Sequence, residues 1–151
     1  MIVPTLNLTP AQRERIESAA EAAYPNECCG IIYGTENTTD GRSGRFVDEL
    51  EPADNDFPAD QQHHRFAISP AKLMLAEKKC RGGRLVLGFY HSHPDHPAEP
   101  SEYDRSHAWP FYSYVIVAVR SGTAAELTSW MLDENTGTFQ PQLVTSLSDA
   151  T

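Results

Sequence analysis

Residues 84–104 read RLVLGFYHSHPDHPAEPSEYD, and the way this stretch divides decides both the fold and the chemistry. Arg84 to His93 is a nearly continuous apolar run ending in His-Ser-His, the pattern of a buried strand whose last residues turn polar. In an extended chain residues two apart face the same side, so His91 and His93 can present both imidazoles to one point while Ser92 faces away. Pro94 ends the ladder, and Asp95 to Pro100 form a loop long enough to reverse the chain before a helix begins at Ser101. Asp104 then stands one turn into that helix, a candidate third donor to the same point.

Two imidazoles and a carboxylate, with a fourth position left to water, are the donor set of a catalytic zinc site, because structural zinc sites are closed, usually by cysteine. Zinc lowers the pKa of a bound water to about 7 and polarises a carbonyl, yet amide hydrolysis still needs a base to carry the proton to the leaving amine. A glutamate beside the metal but not bound to it is the expected base. Glu27, in Asn-Glu-Cys-Cys-Gly at the junction of a helix with an apolar strand, is the candidate.

Each of these residues also has a plainer reading. Ser101-x-x-Asp104 has the spacing of a helix capping box, which needs no catalysis and is compatible with it. His-x-His alone is commonplace in surface loops, and Glu27 alone reads as a solvated helix-end carboxylate. His96, His107 and the pair His63–His64 read as solvated or structural. Cys28 and Cys29 read as small buried hydrophobes, with Cys28 the better placed to line a pocket.

The rest of the chain alternates helical and strand signals without an internal repeat, which predicts a mixed α/β protein. Thr9 and Pro10 suit the N-cap and first position of a helix whose apolar face is Ile16, Ala19, Ala20 and Ala23. Residues 28–34 and 45–50 read as two paired strands joined by a Gly-rich polar turn. Residues 51–65, with two prolines and no periodicity, read as a long, mobile functional loop. Ser69 and Pro70 open a second helix with Leu73, Met74 and Ala76 on its apolar face. Residues 113–119 and 126–132 supply two more strands.

At 151 residues the chain has the length of one domain, 1–151, able to bury one core. Its formal charge of −9 leaves no basic stripe to neutralise phosphates, which argues against nucleic acid and anionic membrane as partners. No stretch has the pattern of a leader or of a membrane span. Three cysteines, two of them adjacent, make no disulfide framework, so a reducing cytoplasm is the expected setting.

Taken together, the motifs resemble the JAMM/MPN metalloprotease family. Its signature is an early glutamate, then His-x-His, seven residues, Ser, two residues and Asp. Here that is Glu27, then His91-Ser92-His93, then 94–100, then Ser101 and Asp104, without departure. The phrases ECCGIIYG, GFYHSHPDHPAEPSEYD and YSYVIVAV also look like the small prokaryotic members. The resemblance implies a curved mixed β-sheet flanked by helices, cytidine-deaminase-like. It implies one zinc per chain on His91, His93 and Asp104, Glu27 as general base and then acid, and Ser101 as hydrogen-bond donor to the tetrahedral oxyanion. It further implies a partner: a small ubiquitin-like or sulfur-carrier protein with a Gly-Gly C-terminus, cleaved at the amide bond after its last glycine. Release of cysteine from a sulfur carrier in cysteine biosynthesis is the activity the phrases resemble most, with isopeptide cleavage of ubiquitin-like conjugates as the alternative. Non-catalytic MPN scaffolds have typically lost one or more of these residues, all of which are present here.

Overall fold

The run at Leu85–Pro94 is the fourth strand, near the middle of an eight-stranded mixed sheet in a computed structural model that describes residues 1–63 and 65–146. In chain order the elements are β1 (Thr5–Leu8), α1 (Pro10–Ala23), β2 (Cys29–Thr39), β3 (Arg42–Ala53), α2 (Pro70–Lys79), β4 (Leu85–Pro94), α3 (Glu102–Ser106), β5 (Ser113–Arg120), β6 (Thr123–Asp133), β7 (Thr138–Gln142) and β8 (Val144–Ser146). A one-turn 3₁₀ helix, Ala59–Gln61, lies between β3 and α2. The sheet order is β7-β6-β5-β4-β2-β3-β1-β8. β4 is parallel to β5 and antiparallel to β2, while β1 is parallel to both β3 and β8.

Helix boundaries follow from local chemistry. Thr9 caps α1 through a reciprocal capping box with Gln12, Pro10 occupies the first turn, and Ile16 and Ala20 are the residues the helix buries. Ser69 caps α2 by accepting from the Lys72 amide. Ala76 and Leu73 turn inward there, but Met74 is 58% exposed and lies off the apolar face assigned to it from the sequence.

The strands run further than their hydrophobic cores. β2 and β3 extend through the polar segment to a two-residue Asp40–Gly41 turn, both residues at positive φ, as a tight hairpin between right-twisted strands requires. β3 also continues to Ala53, so the first three residues of the expected 51–65 loop belong to the sheet.

Three short strands without a strong sequence signal curl the sheet. Gln142 ends β7 on one edge, paired with Ser129, and Val144 begins β8 on the other, paired with Leu6. A single residue, Leu143, joins them, so the two edges lie within about two Cα spacings of about 3.8 Å. The Gln142 side-chain amide donates to the Pro4 carbonyl at 2.9 Å, and the Leu6 amide donates to the Leu143 carbonyl at 2.9 Å, across the seam. No helix among the described residues is long and apolar enough to cross a membrane.

The two faces of β4 belong to different cores. Leu87 and Tyr90 pack with Ile32, Val115 and Val117 against Ile16 and Ala20 of α1. Val86 and Phe89 pack with Ile31 and Tyr33 against Ala76 of α2. Strict alternation would not place 86 and 89 on the same side; a bulge does. Ile32 pairs with Gly88 and Tyr33 with Val86, so Leu87 has no opposite residue on β2. The extra residue switches the parity of everything after it.

Arg45 of β3 holds this irregularity. Only 2% exposed, it donates from Nη1 to the Leu87 carbonyl at 3.1 Å and to Ser113 Oγ at 3.0 Å, and from Nε to Glu36 at 2.7 Å. Phe111 covers its guanidinium at 4.6 Å. Gly88 is required beside it, because a Cβ at that position would collide with the Ser113 backbone. Replacing Arg45 with Met should strand the Leu87 carbonyl, Ser113 and Glu36 and lower stability by about 3 kcal/mol in urea denaturation. Lysine, which lacks the guanidinium fork, should recover less than half of that loss.

Candidate metal centre

Past the bulge, His91 and His93 follow Phe89 onto the α2 side of β4 and Ser92 follows Tyr90 onto the α1 side. The loop from Asp95 to Pro100 then brings α3 back over the strand. Its first turn is a capping box: the Asp104 amide donates to Ser101 Oγ at 3.0 Å, and the Ser101 amide donates to Asp104 Oδ2 at 2.9 Å. The box turns the Asp104 carboxylate back toward the histidines. Its Oδ2 lies 3.3 Å from His91 Nε2 and 3.1 Å from His93 Nε2, and the two imidazole nitrogens are 3.2 Å apart. These three form the one group of potential metal ligands among the described residues.

The donor set fits a cation. Tetrahedral zinc with bonds of about 2.0–2.1 Å needs its donors about 3.3 Å apart, close to the separations here. The Pro97 carbonyl accepts from His93 Nδ1 at 2.8 Å, which fixes the tautomer and turns the Nε2 lone pair toward the centre. His91 Nδ1 is buried without a hydrogen-bond partner among the described residues, and its ring stacks on Phe66 at 4.3 Å. Burial pushes the His91 pKa down and favours the neutral imidazole a metal binds. Burial opposes charge on Asp104 as well, but His91, His93 and the Ser101 amide outweigh it and hold the carboxyl far below its usual range. For His93 burial is likewise outweighed, by Asp104 and the Pro97 carbonyl, so its pKa rises. A cation entering this group therefore competes with protons for His93.

Glu27 sits on the α1–β2 connection, 6% exposed. The Cys28 amide donates to Ser92 Oγ at 2.8 Å and the Ser92 amide donates to the Cys28 carbonyl at 3.3 Å, so the side of β4 opposite the histidines anchors the segment that carries Glu27. Tyr24 donates to Asp95 at 2.6 Å, a second tether to the end of β4. The Glu27 amide donates to the Gln62 carbonyl at 2.7 Å, and Asn55 Nδ2 donates to the Glu27 carbonyl at 3.2 Å and to the Arg65 carbonyl at 2.9 Å. Asn55 Oδ1 accepts from the amides of Phe57 and Ala67. The segment expected to be a mobile loop is thus stitched around Asn55 and clamps Glu27. The Glu27 carboxylate itself makes no hydrogen bond among the described residues. Burial, only partly offset by His93 and reinforced by Asp104, pushes its pKa up to about 8.

Two openings flank the centre. A cleft of about 280 Å³ beside His91 and Asp104 is walled by Phe66, Phe89, Tyr103 and Trp109. A cavity of about 350 Å³ beside His93 is lined by Glu27, His96, Glu99 and Ser101. His63, His96 and His107 are exposed and outside the ligand group, and His64 lies outside the described residues. Cys28, Cys29 and Cys80 are free thiols. Cys28 packs against the main core instead of lining either opening. Asn55, Phe66 and Pro97 also build the site, and no motif in the sequence marks them for it. Ser92 was placed correctly by alternation, but nothing in its spacing tells that it holds Cys28.

A cleft-side trio of donors at a spacing that could hold a metal ion, carried on a central strand and the helix after it, marks the candidate centre of a mixed α/β domain. Residues 9–133 match the model of the prokaryotic homologues of the JAB domain, and the chain belongs to that family. It is 31% identical to a desampylase of Haloferax volcanii over 135 residues, spanning 85% of this chain and 90% of that protein. A solved protein from Desulfitobacterium hafniense superposes with a TM-score of 0.77 at 28% identity, covering 96% of this chain and 94% of the other. A JAB1/MPN domain protein from Archaeoglobus fulgidus shares the fold, with a TM-score of 0.52 at 19% identity over 95% and 97% of the two chains.

The buried carboxyl of Glu27 makes a pH signature. Its folded pKa of about 8 lies above its ordinary 4.5, so between those values the folded state holds a proton the unfolded state has lost, and stability falls as pH rises through that window. In metal-free protein Glu27→Gln should abolish this part of the slope, gaining on the order of a few kcal/mol over the parent at pH 8 and nothing at pH 4. Urea midpoints of both proteins across pH 4–9 measure it; parallel curves would mean the carboxyl is not desolvated.

Proposed function

We propose that this protein is a zinc-dependent hydrolase that cleaves the amide bond following the C-terminal glycine of a small ubiquitin-like protein. The observation that carries the reading is Glu27: buried, its carboxylate without a hydrogen-bond partner among the described residues, and open to the same cavity as His93 and Ser101. An ionisable group held so costs stability once it is charged, and such groups persist where chemistry uses them. His91, His93 and Asp104 would hold one zinc ion. Zinc supplies Lewis-acid polarisation of the scissile carbonyl and a water acidified to about neutral pH.

The chain's own residues do the rest. Glu27, poised near neutral pH by burial, takes a proton and returns it to the departing nitrogen. Ser101 keeps its hydroxyl hydrogen free, because in the capping box its oxygen only accepts, and that hydrogen is available to an oxyanion. His93 is held in register by Pro97 and Asp104 by the amide of Ser101. An extended Gly-Gly tail has no side chains and can approach through a narrow cleft, with the globular body of the ubiquitin-like protein docking outside against the 54–69 segment. The whole 1–151 chain serves as one catalytic domain, and its free thiols suit a reducing cytoplasm.

Two amines are in question. The motif phrases favour a sulfur carrier that releases cysteine; the 31% identity to a protein named desampylase favours a conjugate, joined through an isopeptide bond.

The test separates binding from chemistry. Purified protein should hold about one zinc per chain, lost in His91→Ala. Glu27→Gln should keep the zinc and lose ~10²–10⁴-fold in turnover of a Gly-Gly-terminated adduct followed by intact mass spectrometry. Ser101→Ala should lose ~10²–10³-fold in turnover. Zinc retained in His91→Ala would overturn the ligand set, and undiminished turnover in Glu27→Gln would move the base elsewhere. Zinc bound without cleavage of any adduct would make the protein a scaffold.

A further inference from the structure

The two openings beside the centre have opposite chemistry. The cleft at His91 and Asp104 is aromatic, whereas the cavity at His93 carries Glu27 and Glu99 and includes no lysine or arginine in its lining. A proton carrier must stand within about 2.6–3.2 Å of the nitrogen it protonates. On the proposed hydrolytic reading, therefore, the leaving amine and whatever it carries depart through the cavity that Glu27 lines. Glu27 does not line the aromatic cleft, which is left to the acyl tail.

That placement restricts the amine. An amino acid released through its main-chain nitrogen bears a carboxylate one carbon away. In this cavity, which His93 and His96 also line, that carboxylate would face Glu99 with no guanidinium or ammonium to pair with it, and like charges at close range repel. The formal charge of −9 over the chain works in the same direction. An amine at the end of an alkyl chain brings only methylenes to Pro97 and Pro100 and leaves as an ammonium that Glu99 attracts.

We infer that Glu99 is a specificity-determining residue for the leaving group, admitting a primary amine on an alkyl chain and rejecting an amine that carries a carboxylate next to the scissile nitrogen. The inference rests on Glu27 as proton carrier, and it selects the side-chain conjugate over the cysteine adduct.

Three substrates with one acyl part test it: a Gly-Gly-terminated ubiquitin-like protein from the same genome joined to cysteine, to cysteine amide, and to the side-chain nitrogen of a lysine amide. At pH 8 and low ionic strength the parent enzyme should cleave the cysteine amide adduct roughly tenfold faster, as kcat/KM, than the cysteine adduct, which differs from it by one charge. Glu99→Gln should narrow that ratio to within about threefold, and Glu99→Lys should invert it. The ratio should also shrink as salt rises toward 1 M, where the Debye length falls to about 3 Å; a purely structural role for Glu99 would not give that dependence. Equal rates on cysteine and cysteine amide, or a ratio unmoved in Glu99→Lys, overturns the inference and leaves the hydrolytic reading standing. No cleavage of any of the three by zinc-loaded enzyme is a different pattern, and overturns both.

Discussion

The hydrogen bond from Arg45 to the Leu87 carbonyl is the contact on which the geometry of the site turns. A strand with a one-residue bulge loses a ladder bond at that point, and a carbonyl left unpaired inside the sheet would cost about 1–3 kcal/mol. Arg45 satisfies it from β3, reaching past the intervening β2, with Glu36 balancing its charge and Ser113 and Phe111 packing on its guanidinium. Without the bulge, period-two alternation would turn His91 and His93 toward α1 and Ser92 toward α2. The two imidazoles would then lie in the main core, far from α3 and Asp104. A charge buried on β3 thus decides which face of β4 carries the two imidazoles.

The same alternation makes both faces useful. His91 and His93 gather at Asp104 on one side, while Ser92 on the other grips Cys28 and so fixes the backbone next to Glu27. Ser101 and Asp104 likewise do two things at once. Their capping box starts a helix of only five residues, too short to be stable alone, and the bond that closes it aims a carboxylate at two imidazoles. The plain structural reading of Ser-x-x-Asp and the functional one describe a single arrangement.

Much of the site was legible in the sequence because its parts are local. His-x-His on a strand, a chain reversal through prolines and a capped helix are set by spacings of two, eight and three residues, and extended and helical geometry translate those directly. Glu27, sixty-four residues from His91, was reached from sequence only by the chemical need for a proton carrier and by the family pattern. The bulge was not legible: Leu87 is an ordinary apolar residue in an apolar run, and what makes it irregular is a partner on β3. β1, β7 and β8 escaped because strands of three to five residues with mixed polarity carry little periodicity. Asn55 looked like loop filler for the same reason, since its bonds go to residues ten or more positions away as well as nearby. Met74 was misassigned because a helix face is about 100° wide, and its neighbour Leu73 already defined the inward edge.

The seam at Leu143 gives the molecule a weak side and a strong side. Leu6 and Val144 are neighbours in the sheet although nearly the whole chain separates them, so their pairing is the contact of greatest loop length, and it is made by the shortest strand. Leu143 itself is 65% exposed. Fluctuations that release β8 break few apolar contacts and leave β2, β4 and β5 paired, so amide protons at the seam exchange with solvent through small local openings while those of β4 wait for global unfolding. Breathing is thereby confined to the far margin of the sheet, and the strand that must keep two imidazoles 3.2 Å apart is insulated from it by neighbours on either side.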